Sequence, residues 1–292
     1  MNNGLFVGMV TLDLVYLTDQ LPSSNQKIVA SDYTVAAGGP ATNAAVTFSY
    51  LGNPATIVGV VGNHPITELI RKDLATYRVG IVDLDSTIPE PPPVSSIMVT
   101  QGSGDRAVIS LNATRIQVGS DQLPLDILSG IDVIMIDGHQ MAVGQAIAQL
   151  AKSKKIAVVI DGGSWKPGFD SVLPFVDYAI CSANFYPPGC NNTDEVISYL
   201  TAAGIPHIAI TQGDKPIRYY SLGESGELPI PPITTVDTLG AGDVFHGAFC
   251  HYILEENFTS ALIAATKVAS RSCQFFGTRQ WMQGNGEWRI EN

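Results

Sequence analysis

The chain has 292 residues, 45% of them hydrophobic and only 15% charged, which is ample material for a large core. Its formal net charge is -11, so nucleic acid and anionic membrane surfaces, which would repel it, are excluded as expected partners. A local site for a small anion stays open, and the length suits one α/β domain with an insertion.

The opening MNNGLFVGMVTLDLVYL has no basic start, and Asp13 interrupts its apolar run. It reads as a strand and not as a signal peptide. No apolar run is long enough to cross a membrane. Cys181, Cys190, Cys250 and Cys273 form no disulfide framework and no zinc spacing; they read as reduced thiols of a cytoplasmic protein. The five histidines form no metal motif.

Along the chain, short Val/Ile-rich runs alternate with helical patterns. GLFVGMV, ATIVGVVG (55–62), VIMIDG (133–138), IAVVIDGG (156–163), YAICSAN (178–184) and HIAITQG (207–213) suit parallel strands covered on both faces. Between them, ATNAAVTFSYLG, ITELIRKDLATYRVG, GQAIAQLAKSKK and TDEVISYLTAAG have helical spacing, three of them ending at a glycine. Strand then helix, repeated, predicts a doubly wound α/β sheet. Two half-polar stretches break the rhythm, 17–36 and 93–118. In the second, SSIMVT and AVISL flank a turn. They predict a small β-sheet lid, entered through the stiff connector PEPPP (89–93). MQGNGEWRIEN reads as a loose tail.

Two stretches carry chemistry. The first is TVDTLGAGDVFHGAF (235–249). Gly240 and Gly242 let the backbone approach a ligand, and the helix that follows leaves its first amides unpaired. The amides of Gly240, Ala241 and Gly242 are candidates to hold an anion. A carboxylate beside them, Asp243, makes sense as a base that takes a proton from an attacking hydroxyl. The plainer alternative is a capped helix with a tight turn. The second stretch is AAGGPATNAAVTFSYLG (36–52). Asn43 in a first helical turn suits a sugar hydroxyl. Asp13, after the first strand, is a carboxylate at a strand's carboxyl end, where open α/β sheets bind ligands. Each could instead be a local cap.

Together the two motifs resemble the ribokinase-like, or PfkB, carbohydrate kinase family, over nearly the whole chain. The resemblance implies a three-layer α/β sandwich with a central, mostly parallel doubly wound sheet and a β-sheet lid. It implies transfer of the γ-phosphoryl of ATP to a sugar or nucleoside hydroxyl, with magnesium. Asp243 would be the base, and Gly240, Ala241 and Gly242 the anion hole. Asp13, Gly39 and Asn43 would hold the acceptor, and Asp137 and His139 at a strand end would help choose it. The nucleotide would lie near Asn184, Thr211, Gly213 and Gly277. Some relatives also bind potassium near Asp237, and the lid can pair with a second copy. The chain departs from the pattern at Asn184-Phe185-Tyr186-Pro187, where many relatives have Asn-x-x-Glu and use the glutamate to organise magnesium. Glu195 is a candidate substitute or a helix cap. Asp161, Trp165 and Lys166 also lie at a strand end; Lys166 reads mainly as a solvated loop residue. Arg279 is a candidate phosphate contact or a solvated surface residue, with the surface reading favoured. The motif pair leans toward a ketohexose acceptor. A nucleoside kinase, using Tyr33, Ile97 and Met98 as an apolar face, and a catalytically lapsed binding protein are the alternatives.

Overall fold

The computed structural model describes residues 2–111 and 117–283. The elements run β1 (Gly4–Val7), β2 (Thr11–Thr18), β3 (Asp32–Gly38), α1 (Pro40–Tyr50), β4 (Ala55–Gly59), α2 (Thr67–Thr76), β5 (Val79–Asp83), β6 (Val94–Thr100) and β7 (Arg106–Ser110). They continue with β8 (Val133–Ile136), α3 (Met141–Lys154), β9 (Ala157–Gly162), α4 (Phe169–Val172), β10 (Tyr178–Ser182), α5 (Thr193–Ala202) and β11 (His207–Gln212). The chain then forms β12 (Lys215–Ser221), β13 (Glu224–Leu228), α6 (Ala241–Tyr252) and α7 (Phe258–Ser272).

Nine strands make the main sheet, in the order β13-β12-β11-β10-β9-β8-β1-β4-β5. Every pairing is parallel except β11 with β12 and β12 with β13. Side chains alternate across each strand, so β1 feeds both faces. Phe6 joins one core with α1, α6 and α7 residues such as Phe48, Phe249 and Leu262. Leu5 and Val7 join the other, with Val143, Ile147 and Leu200 of α3 and α5. This is the expected three-layer sandwich.

A second sheet has the order β3-β2-β6-β7. Its strands correct two expectations. The opening run is not one strand: it breaks at residues 8–10, and β1 and β2 enter different sheets. The small sheet therefore begins at Thr11, inside what reads as a central strand, because Thr11, Asp13 and Tyr16 interleave polar groups that a strand buried on both faces would not carry. The hairpin in the second stretch is present as β6 and β7; residues 112–116 of that stretch lie outside the described residues. At the end of α2, Gly80 is a strand residue, and Arg78 (φ 56°) takes the left-handed turn. The expected tail starts too early as well, since its first residue, Met282, is buried in the main core; residues 284–292 of it lie outside the described residues.

One face of the small sheet turns inward. Val15, Ile97 and Val99 cluster there with Phe276, from the segment after α7. Its β7 edge touches the 235–243 motif, where Arg106 Nη1 donates to Thr238 Oγ1 at 3.0 Å.

Candidate active site

The N-termini of α1 and α6 meet at the carboxyl ends of the central strands. Helix α6 starts two residues earlier than Asp243, at Ala241, so Ala241 and Gly242 lie in its first turn. Gly240 is its N-cap at φ 71°, a left-handed conformation that L side chains resist. The turn before it is anchored by Asp237, which accepts from Leu239 N and Gly277 N, both at 2.8 Å. The amide of Ala241 leans on Thr238 O at 3.3 Å. Those of Gly240 and Gly242 have no acceptor among the described residues. They are donors left at a helix N-terminus, where the helix dipole favours an anion.

Asp243 lies one residue inside this turn, partly open to solvent. Burial, reinforced by the negative charge of Asp161, pushes its carboxyl up to about 7. Asn43 opposes that shift: its Nδ2 donates to Asp243 Oδ2 at 2.8 Å. Asn43 therefore faces the candidate base directly. Its Oδ1 accepts from Arg279 Nη1 at 2.9 Å. Arg279 is not on the surface; it is 6% exposed. Its Nη2 donates to Ala37 O (2.7 Å) and Asp73 Oδ2 (3.2 Å), and its guanidinium lies over the Tyr77 ring. A buried cation needs such partners, and all of these lie more than two hundred residues away in sequence.

Asp13 also differs from expectation. It sits within β2 and not at the end of a central strand, on the inward face of the small sheet. It accepts from Thr11 Oγ1 at 2.8 Å. Burial pushes its carboxyl up, while the Thr11 and Ser95 hydroxyls and the Arg279 charge pull it back. Gly38 leaves it room, because a Cβ there would come within 1.9 Å of Oδ2. Gly39, at φ 101°, caps α1 against the end of β1; a Cβ would meet Met9 O at 2.4 Å.

Asp137 is misassigned as an acceptor contact. Its carboxylate is 1% exposed and occupied by protein donors: Met9 N (2.9 Å), Ala41 N (3.1 Å) and His139 N (2.9 Å). Burial alone would raise its pKa, but His139 and these amides outweigh it and hold the carboxyl low. Asp137 braces the start of α1 on β1. His139 does reach an opening, a shallow pocket lined also by Gly8, Met9, Val60 and Pro93. Asp243 is not among that pocket's lining residues.

Asn184 lies just past the end of β10 and Gly213 just past the end of β11, with Thr211 near the end of β11 itself, all with some exposure; Ala183 N donates to Thr211 O at 2.9 Å. Gly277 is placed elsewhere, between Asp237 and Thr34 of the small sheet. Trp165 belongs to an aromatic cluster with Phe169, Phe185 and Tyr199. Lys166 leans on Ser164. Glu195 is occupied in capping α5: it accepts from Asn191 N at 2.7 Å while Asn192 Oδ1 accepts from Glu195 N.

Sequence reading gave His246 no role. Its Nδ1 faces Gly242 O at 2.7 Å and its Nε2 faces Ile180 O at 3.1 Å, with Asp161 Oδ1 3.7 Å away. It ties α6 to β9 and β10 beneath Asp243. Burial raises the Asp161 carboxyl, and the His246 charge opposes the rise. The only sequence signal was a histidine one helical turn after Asp243.

The pfkB family carbohydrate kinase model matches residues 1–283. The chain belongs to that family and is a carbohydrate kinase. Among its curated relatives, the ribokinase of Bacillus subtilis (strain 168) is 23% identical, over 98% of each chain. Among solved structures, the kinase resembles ribokinase from Thermotoga maritima (TM-score 0.79, 19% identity, 96% of this chain and 95% of that one). It also resembles Arabidopsis thaliana ribokinase complexed with ribose and ATP (TM-score 0.75, 20% identity, 97% and 99%). In the kinase, β1 lies between β8 and β4 in the main sheet, and the N-terminal turns of α1 and α6 meet through Asn43 and Asp243.

Proposed function

We propose that the kinase moves the γ-phosphoryl of ATP to a sugar hydroxyl, with Asp243 as general base. The observation that carries this reading is one carboxylate, raised by burial, beside two helix-terminal amides that lack acceptors. A carboxylate near the working pH can take a proton efficiently, and the amides of Gly240, Ala241 and Gly242 would receive the charge on the transferring group. Asp13, Gly39 and Asn43 orient the acceptor, with His139 at its edge. Asn43 keeps a second N–H for a hydroxyl after serving Asp243. Asn184, Thr211 and Gly213 flank the nucleotide, whereas Gly277 belongs to the Asp237 turn.

Magnesium fits this donor set only as a phosphate-borne ion. Among the described residues, no group of three His, Cys, Asp or Glu side chains could hold a metal. Magnesium typically keeps several waters and uses substrate phosphates with few carboxylates, so it would arrive on ATP and neutralise phosphate charge. Potassium has a place at Asp237, a buried carboxylate held by two amides with no ion-pair partner among the described residues.

The motif pair leans toward a ketohexose, whereas the matched relatives named ribokinase favour a pentose. A nucleoside is less suited: Ile97 lies in the small-sheet core, and Tyr33 is exposed on the opposite face. The lapsed-protein reading rests on the missing glutamate and is opposed by the retained Asp243. ADP release from Mg·ATP, measured against ketoses, aldoses, their phosphates and sulfonates, and nucleosides, decides among these. A signal that depends on one sugar supports the proposal. Tight sugar binding with no turnover sinks it in favour of a binding protein.

The small sheet would act as a lid and pair with a second copy. Cross-strand register gathers Leu14, Tyr16, Tyr33, Val35 and Ile109 on its outward face. Tyr33 and Ile109 are each 68% exposed. An exposed apolar strip of this kind marks an interface. Ile109→Lys is expected to convert a dimer to a monomer in light scattering; a monomeric wild type at micromolar concentration would refute the pairing. The free cysteines fit a cytoplasmic setting.

A further inference from the structure

Resting on Asp243 as the base, we propose that Arg279 is a positioning residue: it fixes the Asn43 amide so that its N–H end stays on Asp243. A guanidinium can only donate. Arg279 Nη1 at 2.9 Å therefore commits Asn43 Oδ1 to its own side. The amide nitrogen must then point the other way, and it lies 2.8 Å from Asp243 Oδ2. A flipped amide would set donor against donor at Arg279 and oxygen against carboxylate at Asp243. The relay is itself held rigid. Ala37 O, Asp73 Oδ2 and Thr278 Oγ1 fix the guanidinium from β3, α2 and the preceding residue.

The cost of this arrangement argues that it does more than stabilise. Among the described residues, Arg279 Nε is buried with no hydrogen-bond partner, so the side chain is incompletely satisfied where an apolar residue would raise no such problem. The charges around Asp243 explain what the relay achieves. Asp161 from β9 and Asp13 from β2 oppose ionisation, as does burial; His246, one turn on in α6, and Asn43 from α1 favour it. Among the described residues, only Asn43 donates a hydrogen bond to the carboxylate, so the orientation of its amide tips the balance toward the form that can accept a proton.

The test reads Asp243 directly and needs no acceptor or turnover. In protein labelled with ¹³C at aspartate carboxyls, the resonance lost in Asp243→Asn identifies Asp243, and its titration is followed with pH. Arg279→Met is expected to raise the midpoint by about one pH unit, a tenfold change in the protonation equilibrium. Arg279→Lys, which also only donates, is expected to stay within a few tenths of wild type. A purely structural arginine would lower the melting temperature and leave the midpoint in place, and that result overturns the proposal. Should Arg279→Met fail to fold, the wild-type protein still decides. The Asn43 side-chain amide resonances must shift with the Asp243 midpoint, and amide signals that ignore it overturn the relay. A turnover assay in which Asp243→Asn matches wild type would instead remove the base assignment and leave the titration result standing.

Discussion

Asp243→Asn is expected to lower kcat/KM for phosphoryl transfer by roughly 10²–10⁴-fold while leaving ATP affinity within a few-fold of wild type. The substitution keeps size and shape but removes the group that accepts the hydroxyl proton. The pH dependence gives a sharper check. With the carboxyl pushed up to about 7 in the free enzyme, the active, ionised form is lost as pH falls through 7. The log of kcat/KM should fall with unit slope on that acid limb, and Asp243→Asn should flatten it. Stability should move the opposite way. A carboxyl raised above its unfolded value binds its proton more tightly when folded, so its ionisation destabilises the fold increasingly from about pH 4 to 7. Asp243→Asn should thus melt higher than wild type at pH 8, and the difference should vanish near pH 4. A variant with wild-type turnover and an unchanged acid limb would remove Asp243 from the chemistry.

Gly247→Ala is expected to cost about 1–3 kcal/mol, a drop in melting temperature on the order of 5 °C. Gly247 lies where α6 crosses α1. A Cβ there would stand 2.3 Å from Ala44 O and 2.7 Å from Thr47 Cβ, and neither a helix carbonyl nor a β-branched carbon can yield cheaply. The helices would have to separate, and the Asn43–Asp243 contact spans the same crossing. Activity should therefore fall together with stability. Gly242→Ala is the matched control. Its Cβ meets nothing within 4 Å, so the fold should tolerate it, while the new methyl crowds the amide cradle and raises KM for ATP. Equal melting temperatures for Gly247→Ala and wild type would refute the close-packing account.

The central sheet was legible because its strands are continuous Val/Ile runs buried on both faces, each followed by a helical pattern. The two sheets at the N-terminus were not, because GLFVGMVTLDLVYL has no glycine–proline break strong enough to separate β1 from β2. Asp243 and its neighbours were legible as local chemistry, since a glycine turn, a helix start and a carboxylate are adjacent in sequence. Asp137 was misread because strand-end position says nothing about which amides reach a carboxylate; Met9 and Ala41 arrive from other segments. Arg279 was misread for the same reason on a larger scale. Nothing beside it in sequence offers an acceptor other than Thr278, and its counter-charge, Asp73, comes from α2.

The separation in sequence between Asn43 and its partners has a consequence for synthesis. Asn43 is 200 residues from Asp243 and 236 from Arg279. At typical elongation rates the ribosome needs roughly 10–40 s to make the intervening chain. Throughout that interval α1 has β1 and β4 to pack on, as Phe48 does on Phe6, but the α6 face that will cover Asn43 and Ala44 does not yet exist. A ribosome-bound N-terminal half should expose this apolar helix to holdase chaperones, and it should release them only once α6 and the segment through Arg279 have left the exit tunnel.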